Sequence, residues 1–147
     1  MHLGSVYIVV RDFAKSIHFY ESLLEMPVSS QNMERFAQFS FDGKNISIMN
    51  GYFDAKYPEL TVYKGAYVEE FDNLVAIAEA ENTHKFVFNF WTADLEQEWN
   101  RIKELEISDI FTAIKYVNNV MPYYYFQLTD PDGNVIEITG NYTILGQ

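Results

Sequence analysis

DGNVIEI, residues 132–138, lies over DGKNISI, residues 42–48, without a gap. Each begins with Asp-Gly, a dipeptide favoured in tight hairpin turns because its backbone accepts positive φ at low cost. Each then alternates apolar and polar side chains, the period of a half-buried strand. A turn and strand repeated within one chain predict a duplicated structural unit.

The stretches in front of the two hairpins extend the parallel. Residues 35–41 (RFAQFSF) alternate as a strand ahead of the first turn, and Pro122 to Leu128 forms one ahead of TDPDGN. Further out, residues 3–10, with a short run of β-branched and aromatic residues, read as a buried strand, followed by Asp12, whose carboxylate suits a helix N-cap. Phe13, Ile17, Tyr20 and Leu24 then recur at helical spacing, and Pro27 ends the helix. The second half repeats the order. Residues 85–91 (KFVFNFW) alternate, Asp94 and Gln97 have capping-box spacing, and Leu95, Trp99, Ile102 and Leu105 form the apolar stripe. IFTAIKYV, residues 110–117, reads as a further strand. The first module is expected over residues 3–50 and the second over 84–140. The connection between them, 51–83, is rich in acids and aromatics, with a helix expected over 68–80 from Phe71, Leu74, Val75 and Ala78.

Composition narrows the function. At 147 residues, 48% of them hydrophobic, the chain is one domain or two half-size units around a shared interior. A net charge of −11 repels phosphate backbones, so nucleic acid is not expected as a partner; the negative field either favours a cationic ligand or, more plainly, serves solubility. With no cysteine there is no disulfide, thiolate metal site or cysteine nucleophile, which fits a cytoplasmic protein. The opening MHLGSVYIVVRD is too short in apolar residues for a signal peptide, and no run approaches membrane-spanning length, so no membrane partner is expected. The 12 Phe, 11 Tyr and 2 Trp make a high aromatic content, part of which is simply core, but Tyr and Trp also suit ligand clefts. The seven glycines are scattered rather than gathered in a phosphate loop, and no Gly-x-Ser-x-Gly elbow occurs.

The segments VYIVVRDFAKSIHFYESLLEMPV (6–28) and YYFQLTDPDGNVIEITG (124–140) resemble the vicinal oxygen chelate superfamily. Its members include glyoxalase I, extradiol dioxygenases, methylmalonyl-CoA epimerase, and fosfomycin and bleomycin resistance proteins. The motifs carrying the likeness are DPDGN-x-IE and, on the first helix, Ser16, Phe19, Tyr20 and Leu24. The resemblance implies an α+β fold of two βαβββ modules whose curved sheets form a cleft, often completed by forming a homodimer. It does not select a reaction, since this fold hosts metal enzymes and simple binders alike.

Enzymes of the superfamily hold a metal with His, Gln or Glu from the first and last strands of each module. Seven residues before the helix-capping Asp12 stands Ser5; the last strands offer Ser47 and Glu137; the remaining position is Lys85 or Val87. One carboxylate among four positions does not supply the three or so donors that a catalytic divalent ion needs. His84 and His2 are the alternative ligands, although both sit at odd offsets and would point to the opposite strand face. Strand alternation from these positions gives a cleft lined by Tyr7, Gln38, Ser47, Met49, Asn89, Trp91, Tyr123, Tyr125, Gln127 and Glu137. Three functions follow as expectations. The first is a binder of a small aromatic or cationic compound of bleomycin-resistance type, needing no metal or other cofactor. The others are a metal-dependent lyase or isomerase of glyoxalase type using Glu137, and a non-catalytic regulatory module.

Overall fold

The computed structural model describes residues 1–143. These form two compact units, Met1–Glu81 and the part that begins at Asn82.

The first unit runs β1 (Val6–Val10), α1 (Phe13–Leu24), β2 (Ser30–Asn32), β3 (Phe36–Phe41) and β4 (Lys44–Asn50), then three short helices: α2 (Phe53–Lys56), α3 (Glu69–Asp72) and α4 (Leu74–Glu79). Its sheet has the order β1-β4-β3-β2. β1 is parallel to β4, and β3 is antiparallel to both its neighbours. The second unit contains β5 (Val87–Thr92), α5 (Leu95–Leu105), β6 (Lys115–Asn119), β7 (Met121–Thr129) and β8 (Val135–Gly140). Its order, β5-β8-β7-β6 with β5 parallel to β8, is the same topology again. Both units are therefore βαβββ modules of an α+β fold.

The repeat extends to the helix ends. Asp12 accepts from the Lys15 amide and Asp94 from the Gln97 amide, each at 3.0 Å, so both N-caps form as expected. At the other end Glu25 and Glu106 both adopt the left-handed conformation that closes a helix. α1 packs on β4, burying Phe13, Ser16, Phe19, Tyr20 and Leu23. This face is turned from the expected stripe: Ile17 and Leu24 are only half-buried. Tyr20 meets Phe39 of β3, with ring centroids 6.4 Å apart. α5 packs on β7 and β8 through Leu95 and Ile102, above the buried Phe126, Leu128, Ile136 and Ile138. Each such apolar side chain contributes about 1.5–3 kcal/mol when fully buried.

Three expected boundaries move, and one strand, β2, was not expected. β1 begins at Val6, where its pairing with Ile46 starts, and not at residue 3. β2 carries no apolar residue, so its three exposed positions left no alternation to read. The expected strand 110–117 is interrupted: Phe111 makes a single bridge to Leu128, and the regular strand starts at Lys115. The Thr112 hydroxyl takes the Gln127 amide proton, and Phe111 stacks on Trp99 at 5.3 Å, so these side chains serve the α5 core. The expected helix 68–80 breaks at Asn73, whose side chain caps α4 by accepting from the Ala76 amide.

The connection is built into the first unit. At Gly51 an added Cβ would lie 2.5 Å from the Ala78 Cβ and 2.9 Å from the Leu74 carbonyl oxygen, so glycine is what lets α4 approach the end of β4. Arg35, just before β3, grips Asp54 of α2 through Nε at 2.8 Å and Nη2 at 3.1 Å. Among the described residues no helix is long and apolar enough to cross a membrane.

Candidate functional site

Each sheet packs its helix on one face, so the other face is where the alternating polar residues collect. In the second unit β8 places Val135, Glu137 and Thr139 opposite the buried Ile136 and Ile138. Register aligns Asn89 and Gln127 on either side of Glu137, and Trp91 and Tyr125 on either side of Thr139, with Lys115 beyond Tyr125. Glu137, Gln127, Tyr125 and Tyr123 are half-buried, and Asn89 and Trp91 are exposed.

Glu137 is held by neutral donors. Its Oε2 accepts from Asn89 Nδ2 at 2.8 Å and from the Tyr123 hydroxyl at 3.0 Å. Asn89 Nδ2 also reaches the Tyr123 oxygen at 3.1 Å. These donors fix the carboxylate's orientation without cancelling its charge. Tyr123 and Tyr125 lie side by side with centroids 5.5 Å apart. Lys115 donates to Gln127 Oε1 at 2.8 Å and stands 5.7 Å from the Tyr125 ring centroid. Alternation found Asn89, Tyr123 and Glu137 but left out Lys115; its register partner Tyr125, already assigned to this face, was the available signal.

The corresponding face of the first unit is neutral throughout. Register sets Tyr7 and Gln38 on either side of Ser47. The Ser5 and Ser47 hydroxyls are 2.6 Å apart, and Ser47 donates to Gln38 Oε1 at 3.4 Å. Gln38 continues to the Ser40 hydroxyl, which donates to Asn45 Oδ1 at 2.7 Å. Tyr7 meets Phe36 edge-on at 6.1 Å, and Met49 is paired with Phe36 and Val9.

Register also resolves the open ligand position. Tyr7 pairs with Ser47 as Asn89 pairs with Glu137, so the counterpart of Ser5, two residues before Tyr7, is Val87 rather than Lys85. The four positions thus offer two hydroxyls bonded to one another, an alkyl side chain and one carboxylate. Such a set does not fit a divalent ion, which takes imidazole, carboxylate or amide donors at several corners. His84 lies ahead of β5 in a left-handed turn with its amide tied to Asn82 Oδ1, and His2 lies ahead of β1. Neither histidine stands on a strand.

The model of the Glyoxalase/Bleomycin resistance protein/Dioxygenase superfamily matches residues 2–138. The chain belongs to this superfamily. Solved structures agree on the fold. A glyoxalase/bleomycin resistance protein from Albidiferax ferrireducens T118 is 16% identical, with a TM-score of 0.62 over 95% of this chain and 98% of that one. Lactoylglutathione lyase from Agrobacterium tumefaciens is 12% identical, with 0.62 over 95% and 93%. An integron cassette protein from V. cholerae is 18% identical, with 0.62 over 97% and 96%. No curated protein matches the chain. Superfamily membership thus places the chain among metal enzymes and binders together, and the choice between them rests on its own side chains.

Proposed function

We propose that this superfamily member is a metal-free binder of a small aromatic or cationic compound, in the manner of the bleomycin resistance proteins. The observation carrying this reading is the Glu137 carboxylate, oriented by the neutral donors Asn89 and Tyr123, beside the paired rings of Tyr123 and Tyr125. A flat cation gains from the negative faces of the rings and from the carboxylate together. The neutral hydroxyls of Ser5 and Ser47 and the alkyl side chain of Val87 support a reading without a metal, because they are poor ligands for an ion that would polarise a substrate. The family likeness and the lack of cysteine add a homodimer and a cytoplasmic location to this proposal.

Thermal shift and calorimetry with benzyltrimethylammonium and its uncharged tert-butyl analogue test this. A specific ligand at a hundred times its Kd raises stability by about 2.7 kcal/mol. The cation should stabilise the protein more than the neutral analogue, and Glu137→Gln should weaken its binding by up to roughly fivefold. Equal binding of the two compounds would defeat the cationic reading. Metal analysis of untagged protein tests the rest: a stoichiometric divalent ion that disappears in Glu137→Ala would sink the metal-free binder reading.

A further inference from the structure

A cavity of about 350 Å3 opens in the first unit between the start of α1, the end of β4 and α2. It shares no residue with the polar face of either sheet. Its walls are aromatic: Phe13 and Phe53 are buried, Tyr52 and Tyr57 half-buried, and the Phe53 and Tyr57 rings meet at 5.0 Å. This volume lies at the small end of the range for ligand pockets, about 300–1,000 Å3, and suits one ring-bearing molecule.

Two exposed side chains of opposite charge, Glu34 and Lys56, also line it. Neither forms an ion pair among the described residues, so they face the same space without neutralising each other. Lys56 Nζ stands 5.3 Å from the Tyr57 ring centroid, and Glu34 is fixed by its carbonyl, which accepts from Asn50 Nδ2 at 2.9 Å. Arg11 and Asp12 add one more charge of each sign to the lining, the carboxylate of Asp12 being engaged as the cap of α1.

The first turn of α1 adds direction. Asp12 takes the Lys15 amide with its side chain and the Ser16 amide with its carbonyl. The amides of Phe13 and Ala14, which both line the cavity, precede any intrahelical acceptor, and they favour an anionic group there. In a protein with a net charge of −11 a free anion is repelled overall, and a free cation has many places to go. Only a molecule carrying both charges uses Glu34 and Lys56 at once. We infer that this cavity binds a small zwitterionic aromatic molecule, an amino acid bearing a ring. Its ammonium lies towards Glu34, its carboxylate towards Lys56 and the α1 amides, and its ring against Phe13, Phe53 and Tyr57.

The probes are L-phenylalanine, phenethylamine, which lacks the carboxylate, and 3-phenylpropionate, which lacks the ammonium, measured by saturation-transfer NMR and calorimetry on the full chain. L-phenylalanine should bind saturably, and each truncated probe about threefold more weakly, as expected for an ion pair made with an exposed side chain. Lys56→Gln should remove the advantage over phenethylamine, and Glu34→Gln the advantage over 3-phenylpropionate. Both side chains are exposed, so the variants test charge without disturbing the core. Glu137→Gln should leave all three affinities unchanged, which separates this cavity from the site proposed above. The inference is overturned if L-phenylalanine does not bind, if the truncated probes bind as well, if neither charge substitution matters, or if Glu137→Gln abolishes binding.

Discussion

Replacing Asp54 by alanine tests whether residues 51–81 are part of the first unit's structure or merely drape it. The Asp54 carboxylate receives Arg35 Nε at 2.8 Å, Arg35 Nη2 at 3.1 Å, Thr61 Oγ1 at 3.0 Å and the Tyr63 hydroxyl. Thus one side chain of α2 ties the strap at Thr61 and Tyr63 to the residue just before β3. The Arg35 and Asp54 side chains are 22% and 15% exposed, too buried for an inconsequential surface pair and too wet for the full cost of a buried charge. Hydrogen bonds to charged groups contribute about 1.5–3 kcal/mol each, but four donors sharing one carboxylate do not add, and water replaces part of what is lost. Asp54→Ala should therefore cost about 2–3 kcal/mol, with the stranded Arg35 guanidinium the main penalty. Urea unfolding of Asp54→Ala, Arg35→Met and the double variant should give a coupling of about 1–2 kcal/mol, and limited proteolysis should cut faster between residues 57 and 68. An unshifted unfolding midpoint with an unchanged cleavage rate would refute the reasoning. The pH dependence offers an independent check. Burial pushes the Asp54 carboxyl up, but the Arg35, Tyr63 and Thr61 donors outweigh it and leave the group below its usual value of 3.8. Its contribution is then complete above that value and is lost as the pH falls through the lower folded-state value. The bond to Asp54, then burial, push the Tyr63 phenol above its usual 10.0. Its contribution is complete below pH 10.0 and is lost as the pH rises through the folded-state value.

Two further substitutions test local readings. Ser16 is fully buried on α1, and its hydroxyl has no hydrogen-bond partner among the described residues. Ser16→Ala removes that uncompensated hydroxyl and improves helix propensity, so the thermal midpoint should rise with a gain of about 1 kcal/mol; a fall would show that the hydroxyl is satisfied in solution. Asp130 is buried in the TDPDGN turn, where Oδ1 accepts from the Asp132 and Asn134 amides at 2.9 and 2.8 Å and Oδ2 from Asn134 Nδ2 at 2.8 Å. Asp130→Ala should lower the stability measured in urea by about 3 kcal/mol, whereas a loss below about 1 kcal/mol would mean that the backbone bonds of the turn suffice.

What was legible in the sequence was what is encoded locally. Asp12 and Asp94 announce helices because the cap is made within four residues, and the two Asp-Gly turns set the register of the hairpins they close. From that register, alternation placed Asn89, Gln127 and Glu137 in one row, as the pairing has them. Boundaries decided by distant partners were not legible. Ile110 to Ile114 look like strand because they are apolar, yet Phe111 and Thr112 spend their side chains on Trp99 and Gln127. The packing of the connection depends on Gly51 meeting Ala78 and on Arg35 reaching Asp54, contacts that no local pattern announces. In the candidate site the row could be read, but the bond from Tyr123 to Glu137 could not: their strand positions are not register partners, and only the length of the tyrosine bridges them.

The tight seat of Ala78 on Gly51 has a consequence for how two like modules grow apart. The second module answers to the first strand for strand, but among its described residues nothing corresponds to the three helices that follow β4. Of these, α4 closes back on β1 and on the end of β4, so the first copy carries a tail packed into its own structure. The copies are therefore no longer interchangeable. An exchange of halves with a relative would have to cut after residue 81, at the seam between the units, and carry that tail along.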